Sequence, residues 1–445
     1  MVTSKRTERL QARSTTSNNV SVLVGVLTSV IVGMFIPVNS LCVCAGDWPQ
    51  INGPNRNGTA VGEKLLAKWP VGGLKEIWSH PVGQGNSGPA VANGKLIVFH
   101  RPAKKYLVEA LDPKTGRLIW NRELPTNYAG GVDGDLGPKS VPMVHGGRVY
   151  LFGTGGWIFC LNLDEGSTVW QKNVADEYQI RPGYFGAGTS PIAAQGNLIV
   201  NVGGKNAAVV AFDLATGKEV WKSIDDDASY SSPITMEAGG EKIVVFVTRM
   251  NLVGLNPETG KVRFQTPFGK MGPTVNAAMP VFFQSNGKPF LFVNAAYGIG
   301  ARLLKVSETG IEKVWGNDDS FSSQYSTPVF VDGNLFGTAG REDHNNGSYR
   351  CFDALTGKVN WVREGIPVGH SIFVDGRILV LDSDGGFHVI AATPSKFNRV
   401  YQTKLFDSKA RALPAISDGL LYARSNATQS GRGELVCVRV GQSGG

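Results

Sequence analysis

Short apolar runs bounded by turn residues follow one another along most of the chain. Residues 95–99 and 242–247 are such runs. Pairs such as Asn93-Gly94 and Asp375-Gly376 stand between runs, and they supply the positive φ angles that a two-residue hairpin requires. The runs show no helical periodicity, and 57 glycines interrupt the chain. The pattern predicts an all-β protein built from hairpins.

A ten-residue motif recurs within this pattern. It reads apolar-Asp-x-x-Thr-Gly-[Lys/Arg]-x-x-Trp at 111–120, 212–221 and 352–361, with Asn and Phe replacing Asp and Trp at 255–264. Looser copies end at Trp170 and Trp315. The aromatic end positions 120, 170, 221, 264, 315 and 361 are 50, 51, 43, 51 and 46 residues apart. That spacing fits four short strands with their turns, so the motif predicts a β-propeller with four-stranded antiparallel blades.

Eight such units fit between residue 74 and the end of the chain. They begin near Ser87, Ser140, Thr189, Ser231, Ala278, Ser326, His370 and Leu413. The eighth unit stops without a Trp-bearing strand, whereas 75–82 is a Trp-bearing strand with no blade before it. We infer that this N-terminal strand completes the eighth blade and closes the ring, which removes an open sheet edge. Residues 74–445 then form one propeller, and 46–73 form an N-terminal extension.

The regular spacing also indicates what the tryptophans and cysteines do. We expect six tryptophans to pack between blades in equivalent outer strands: Trp78, Trp120, Trp170, Trp221, Trp315 and Trp361. Cys160, Cys351 and Cys437 occupy the small-residue position held by Ala110 and Ala211 in other units. Equivalent positions on separate blades are too far apart for a disulfide. We therefore expect three free, buried cysteines that act as small apolar side chains.

The repeated motif resembles the tryptophan-docking motif of pyrroloquinoline-quinone (PQQ) dependent alcohol dehydrogenases. It also resembles the repeats of the propeller lipoprotein of the bacterial β-barrel assembly machinery. The resemblance covers 74–441, and residues 47–58 are similar to the mature start of many exported bacterial proteins in this group. Because the superfamily holds both enzymes and scaffolds, the resemblance implies the fold and not the activity.

Residues 1–45 are predicted to direct export. Four basic residues precede the apolar run 20–38, and Val43-Cys44-Ala45 offers small residues for cleavage. A cleaved signal peptide is favoured over an uncleaved membrane anchor, since the run is near the roughly 20 residues that span a bilayer. Either form makes the protein exported, periplasmic or envelope-associated. Without this segment the net charge falls from +8 to +5 and no run of five like charges occurs, so we expect no nucleic-acid partner.

The resemblance leaves an enzyme as the alternative. A small PQQ-dependent alcohol or polyvinyl-alcohol-type dehydrogenase would need PQQ with Ca²⁺, an aspartate base, a tryptophan floor and, usually, a disulfide between adjacent cysteines. No two cysteines are adjacent here. The irregular stretches 127–139 and 177–188 contain Asp133, Asp135, Glu177 and Arg181, which could line a site. Loop residues of this type are more often simply solvated, so we expect no cofactor, no metal and no catalytic residue.

Basic residues recur at the end of the second strand of several units. They are Arg101, Lys205, Arg249, Arg341 and Arg424. In a propeller these positions share one face, where a ring of cations would suit an anionic ligand or an acidic partner segment. Five independent solvated charges are the alternative. The resulting hypothesis is a non-catalytic envelope propeller that binds a protein partner or an anionic ligand, with possible membrane attachment through the N-terminal segment.

Overall fold

A computed structural model describes residues 46–180, 183–308, 310–427 and 432–442. The predicted targeting segment 1–45 lies outside these ranges. Within them, no helix combines the length and apolar character needed to cross a membrane.

The described chain forms eight antiparallel four-stranded sheets, as predicted. The chain's first strand, β1 (Glu76–Val82), belongs to the last sheet. The first four blades contain, in chain order, β2 (Ala90–Ala92), β3 (Lys95–His100), β4 (Tyr106–Leu111), β5 (Leu118–Leu124); β6 (Met143–His145), β7 (Arg148–Phe152), β8 (Trp157–Asn162), β9 (Thr168–Asn173); β10 (Ile192–Ala194), β11 (Asn197–Gly204), β12 (Ala207–Asp213), β13 (Glu219–Ser223); and β14 (Ile234–Ala238), β15 (Glu241–Val247), β16 (Asn251–Leu255), β17 (Val262–Pro267).

The remaining blades follow the same order. They contain β18 (Val281–Ser285), β19 (Lys288–Ala295), β20 (Gly300–Ser307), β21 (Gly310–Asn317); β22 (Val329–Val331), β23 (Asn334–Ala339), β24 (Ser348–Asp353), β25 (Val359–Glu364); β26 (Gly369–Val374), β27 (Arg377–Asp382), β28 (Gly386–Ala391), β29 (Arg399–Lys404); and β30 (Ala415–Ser417), β31 (Leu420–Arg424), β32 (Gly433–Arg439). Helix α1 (Val174–Tyr178) and a 3-10 turn (Glu342–His344) are the helical elements of the described ranges.

The N-terminal strand closes the ring. β1 pairs antiparallel with β32, with Trp78 opposite Cys437 and His80 opposite Leu435. The last sheet therefore has the order β1-β32-β31-β30. Both the number of blades and the closing strand predicted from the repeats are confirmed.

Each predicted tryptophan lies in the outer strand of its blade and binds the following blade. Its indole Nε1 donates a hydrogen bond to a backbone carbonyl there, which satisfies the one polar group of a largely buried ring. The donor and acceptor residues are Trp78 and Pro113 (3.0 Å), Trp120 and Leu163 (2.9 Å), Trp170 and Leu214 (3.1 Å), Trp221 and Pro257 (3.2 Å), Trp315 and Ala354 (3.1 Å), and Trp361 and Thr393 (3.0 Å).

The Thr-Gly turn of the motif forms the surface on which the ring packs. Asp213 Oδ1 accepts hydrogen bonds from Thr216 N (2.8 Å) and Thr216 Oγ1 (2.7 Å), which fixes the turn. Gly217 follows with φ of +71°, and a Cβ added to it would lie 2.7 Å from the Trp170 ring. The motif therefore needs glycine for both its positive φ and the space that the neighbouring ring takes.

The cysteines fill the small position that faces the same aromatic ring. Cys160, Cys351 and Cys437 pair with Trp170, Trp361 and Trp78 across the outer strands, and all three are free and buried. The predicted packing role is confirmed.

A belt of hydroxyl groups links the inner strands around the channel. Val141 N donates to Ser190 Oγ (2.8 Å), and Ser190 N donates to Ser232 Oγ (2.8 Å). Each bond joins one blade to the next. Met279 N donates to Thr327 Oγ1 in the same way (2.8 Å). In these blades the residue directly before the proline of the inner strand therefore carries an inter-blade contact.

The N-terminal extension lies across the turn-bearing end of the central channel. Trp48 pairs with Val91 in blade one, and Ala60 N donates to Phe373 O in blade seven (2.9 Å). Between them, Arg56 is buried in the channel, where it donates to the carbonyls of Pro191 (3.0 Å) and Pro233 (2.7 Å). Burial lowers the pKa of Arg56 to about 9. The extension therefore plugs this end of the ring.

The extension also supports the junction where the repeat is incomplete. Blade seven carries Tyr401 at the docking position, and Trp69 stacks on it at 5.0 Å between ring centroids. Leu66 N donates to Val440 O beside β32 (2.9 Å). The extension thus supplies contacts here that a Trp and a Thr-Gly turn supply elsewhere.

Two glycines of blade three test the docking contact. Gly196 (φ +77°) has open space where a Cβ would stand, whereas Gly217 (φ +71°) has the Trp170 ring 2.7 Å away. We expect Gly196→Ala to cost about 1 kcal/mol for positive φ alone. Gly217→Ala should cost roughly 1–3 kcal/mol more, because the ring must move. Urea denaturation of both variants measures the difference, and equal losses would contradict the docking role.

Candidate functional site

A cavity opens at the centre of one end of the ring. The loops between second and third strands share this end with the connections from each fourth strand to the next first strand, and we call it the mouth face. The cavity measures about 510 Å³, and most of its lining residues come from those connections. Ile51 of the N-terminal extension lines its inner end and packs against Val141 and Met279. Because the extension plugs the channel behind it, the cavity opens only at the mouth.

Aromatic side chains stand on opposite walls of this central cavity. Phe185 and Tyr230, before blades three and four, pack edge to face with ring centroids 5.5 Å apart. Tyr325 precedes blade six and His370 lies in the first strand of blade seven. Their ring centroids are 5.5 Å apart. Blades three and seven are diametrically opposed in an eight-membered ring. The two aromatic pairs therefore line different sides of the cavity.

A mostly buried carboxylate, Glu342, organises one side of the cavity. Arg411 forms a bidentate ion pair with it: Nε donates to Oε2 (2.8 Å) and Nη2 donates to Oε1 (2.9 Å). The Tyr325 hydroxyl also donates to Glu342 Oε2 (3.0 Å). Lys409 lies 3.3 Å away. Burial has the largest effect on the Glu342 pKa and raises it, but the Arg411 hydrogen bonds and the nearby cations outweigh burial and lower the pKa. Glu342 is therefore held as a carboxylate.

Lys139 lines another side of the cavity, and its ammonium group has two carboxylates nearby but no hydrogen bond within the described ranges. Its Nζ is 3.6 Å from one oxygen each of Asp133 and Asp135, and its side chain is only 10% exposed. Nζ makes no hydrogen bond to any described residue. A buried ammonium with unused donors is a polar group that a ligand could satisfy.

The charges of the lining balance. Its cations are Lys139, Lys409 and Arg411, and its carboxylates are Asp133, Glu342 and Asp343. The last of these is bound by Arg341, which lies just outside, with Nε to Oδ1 at 3.0 Å. Each lining carboxylate is therefore already paired with a cation.

This lining does not fit PQQ with Ca²⁺. PQQ is a polycarboxylate and would need free cations, while Ca²⁺ would need free oxygen ligands. The cavity's cations and carboxylates are instead paired with one another, and its lining contains no tryptophan among the described residues. Across the described ranges, no group of three His, Cys, Asp or Glu side chains is placed to hold a metal ion.

The predicted basic residues surround this cavity without lining it. Lys205 is exposed in the turn between β11 and β12. Arg101 is partly buried and donates to the carbonyls of Tyr128 (2.7 Å) and Leu136 (3.1 Å). Arg249 donates to Gly272 O (2.9 Å), and Arg341 packs over the Tyr297 ring at 4.5 Å. These four occupy the mouth face, in the loops that the repeat register indicated.

Arg424 requires a correction. It was expected in the same cationic ring, but its side chain is 1% exposed at the end of β31. Its guanidinium donates to Gly83 O (2.8 Å) and Ser87 O (3.2 Å), which lie between the closing strand and blade one. Through these bonds Arg424 joins β31 to the segment that connects the closing strand to blade one. Its guanidinium is therefore not available on the surface.

An exposed apolar patch stands on the rim of the mouth face. Val132 is 75% exposed, Met271 is 79% exposed and Tyr184 is 43% exposed. Backbone and side-chain bonds hold the patch together: Val132 N donates to Tyr184 O (3.0 Å), and Tyr184 Oη donates to Gly272 O (3.3 Å). Because Gly272 O also accepts from Arg249 (2.9 Å), a cation borders the patch. We call these three residues with Arg249 the rim patch.

Sequence reasoning found part of this site. It singled out the stretches 127–139 and 177–188, which contribute Asp133, Lys139 and Phe185 to the cavity. It did not identify the pair formed by Glu342 and Arg411, which are 69 residues apart. Arg181, named as a possible lining residue, lies outside the described residues. An acidic residue directly after Arg341 was the available signal for Glu342.

Comparison with known proteins agrees with the fold and the repeats. The family profile described as outer membrane protein assembly factor BamB matches residues 62–182 and 104–363. BamB of Yersinia pestis is 24% identical over 289 residues, which cover 60% of this chain and 68% of that protein.

Two solved structures share the architecture. BamB from Moraxella catarrhalis superposes with a TM-score of 0.59 at 14% identity, over 82% of this chain and 97% of that chain. A europium-containing methanol dehydrogenase superposes with a TM-score of 0.68 at 13% identity, over 89% and 98%. At these identities the structures show the fold alone. The family profile covers more than half of the sequence, and the chain therefore belongs to the BamB family of PQQ-like β-propellers.

Proposed function

We propose that this chain is a non-catalytic propeller of the cell envelope that binds a protein partner through its mouth face. The matching family and the Yersinia pestis relative are named for outer membrane protein assembly. The predicted targeting segment 1–45 supports the same compartment, whether it is cleaved or kept as an anchor.

The rim patch is the observation that carries this proposal. Large apolar side chains as exposed as Val132 and Met271 are common singly, but a connected group on a protein surface marks an interaction site. Tyr184 adds an aromatic ring with a hydroxyl, the kind of side chain that dominates binding energy at interfaces. The bonds to Gly272 O hold the Tyr184 and Arg249 side chains before a partner arrives, so these two side chains would lose little conformational entropy on binding.

The cations around the patch indicate the partner's charge. Arg249 keeps donors beyond the bond to Gly272 O, whereas the Arg101 guanidinium is already used on backbone carbonyls. A partner surface with apolar residues beside an acidic residue would match both components. Of the predicted basic residues, Arg249 therefore has the strongest case as a binding residue.

The dehydrogenase alternative has the weaker case. Its support is the shared fold with quinone-dependent enzymes, and a fold does not define an activity. The paired charges of the cavity argue against a polycarboxylate cofactor. We therefore propose a function that requires neither PQQ nor a metal.

Removing the apolar part of the rim patch should weaken partner binding. We expect Tyr184→Ser with Met271→Ser to reduce affinity roughly tenfold or more, because both side chains would lose buried contact area. The partner would be captured from envelope extract, purified, and titrated by calorimetry. Val61→Ser with Val71→Ser is the matched control, because these valines of the N-terminal extension are at least as exposed, at 58% and 105% against 43% for Tyr184 and 79% for Met271. Equal affinities for both double variants would contradict the proposal.

The same titration measures how much the arginines beside the rim patch contribute to affinity. Replacing Arg249 and Arg341 by serine should weaken binding and reduce its dependence on salt, because screening acts on exposed charges. Both arginines are partly buried, and Arg341 also pairs with Asp343, so circular dichroism must show that the double variant is folded. Salt-independent binding that the charge variant leaves unchanged would remove the cations from the site.

Adding PQQ and Ca²⁺ to the purified chain should produce no bound quinone. The reason is that each lining cation already has a carboxylate partner, at 2.8 Å for Arg411, 3.3 Å for Lys409 and 3.6 Å for Lys139. Absorbance spectroscopy after gel filtration provides the measurement. Stoichiometric quinone absorbance that travels with the protein would favour the dehydrogenase.

A further inference from the structure

We propose that the central cavity binds a short neutral oligosaccharide. The ligand is distinct from the protein partner proposed for the rim patch. The inference rests on the shape, charge balance and unused hydrogen-bonding groups of the cavity.

The cavity has the size of a small-ligand site and is closed at its inner end. Its volume of about 510 Å³ lies within the roughly 300–1,000 Å³ of such sites. Ile51 closes the inner end, and the buried Arg56 guanidinium holds the extension to the strands behind it. A ligand could therefore enter only from the mouth and would be surrounded on its other sides.

The charge balance disfavours a charged ligand. An anion at Arg411 would have to displace Glu342, which Arg411 holds by three hydrogen bonds of 2.8–3.1 Å. At Lys139 it would meet the carboxylates of Asp133 and Asp135, each 3.6 Å from Nζ. A cation would have to displace Lys409 or Arg411 from the same carboxylate. Separating such a partly buried pair is costly because it leaves an uncompensated charge. A neutral ligand leaves all of these pairs intact.

Hydrogen-bonding groups nevertheless remain open. The Lys139 ammonium makes no hydrogen bond within the described chain, and Asp343 is 51% exposed at the cavity mouth. The first group only donates and the second only accepts. A hydroxyl can do either, so a ligand that carries several hydroxyls could satisfy both.

The aromatic pairs favour a sugar over a peptide. A pyranose ring has apolar C–H faces above and below and hydroxyls around its edge. Phe185 and Tyr230 would contact one face, and Tyr325 with His370 would contact the other, while Lys139 and Asp343 meet the edge. An extended peptide has its backbone N–H and C=O groups along its two edges and separate side chains on its two faces, so its backbone offers no flat apolar ring face to the aromatic pairs.

Direct titration with defined sugars tests the inference. The probes are maltotriose, cellotriose and chitotriose, measured by saturation-transfer NMR and calorimetry. A hyaluronan tetrasaccharide serves as the acidic comparison, and tri-alanine serves as the peptide comparison. We expect at least one neutral trisaccharide to bind and to receive saturation on its ring C–H protons, with no comparable binding of the acidic sugar or the peptide.

Neighbouring residues provide a matched pair of variants. Phe185 lines the cavity, whereas Tyr184 belongs to the rim patch. Phe185→Ala should weaken sugar binding roughly three- to tenfold through loss of one aromatic contact, while Tyr184→Ala should leave it within about twofold. The opposite pattern is expected for the protein partner, so failure of one proposal is distinguishable from failure of the other. Lys139→Met is a second cavity variant and should also weaken the sugar.

Three results would overturn the inference. One is the absence of saturation transfer to all three neutral trisaccharides. Another is preferential binding of the acidic sugar or of the peptide. The third is sugar binding that Phe185→Ala and Lys139→Met, both shown to be folded by circular dichroism, leave unchanged.

Discussion

The packing of one aromatic ring on the Thr-Gly turn of the next blade holds the propeller together. Each blade is a small twisted sheet that cannot bury both faces alone, so its stability depends on its neighbours. The contact fixes three residue choices at once: an aromatic residue in the outer strand, a small residue opposite it, and a glycine in the following turn. Trp170, Cys160 and Gly217 are one such set. Blade seven has Tyr401 in place of the tryptophan, and there Trp69 of the extension stacks on the tyrosine ring.

The features that could be predicted from the sequence are those that repeat. The outer-strand tryptophans, the buried cysteines and the closing strand all follow from a fixed spacing, because equivalent positions in a repeat have equivalent neighbours. The path of the N-terminal extension could not be predicted in this way. Arg56 binds backbone carbonyls of Pro191 and Pro233, and a carbonyl is present at every residue, so no side-chain pattern marks the acceptor.

The residues of the mouth face were predicted only in part, for a related reason. Alignment of the repeats predicted Arg249 and Arg341 in loops of one face, which is correct. The same alignment predicted that Arg424 would be a surface residue of that face, which is wrong. An arginine at the end of a second strand has the same spacing whether it points to solvent or, like Arg424, into the junction with Gly83 and Ser87. The Glu342–Arg411 pair joins two different blades, and a pair that forms only in the folded ring leaves no local signal.

Closure of one end of the channel connects the fold to the proposed functions. With the extension across the turn-bearing end, the mouth face retains both the open cavity and the rim patch. Tyr184 and Phe185 are adjacent in the chain, yet one belongs to the rim patch and the other lines the cavity. A single connection thus contributes to both proposed sites, and the plug beneath keeps the cavity from becoming a pore.

Hydrogen–deuterium exchange of the extension tests this account most directly. The amides of Trp48, Ala60 and Leu66 donate to blades one, seven and eight, at 2.8, 2.9 and 2.9 Å. If the extension is an integral part of the ring, these amides should exchange as slowly as those of the inner strands, through global unfolding alone. Rapid exchange of the three amides, with the inner strands still protected, would show that the extension opens independently. The channel would then be open at both ends, which would contradict a cavity with a single mouth.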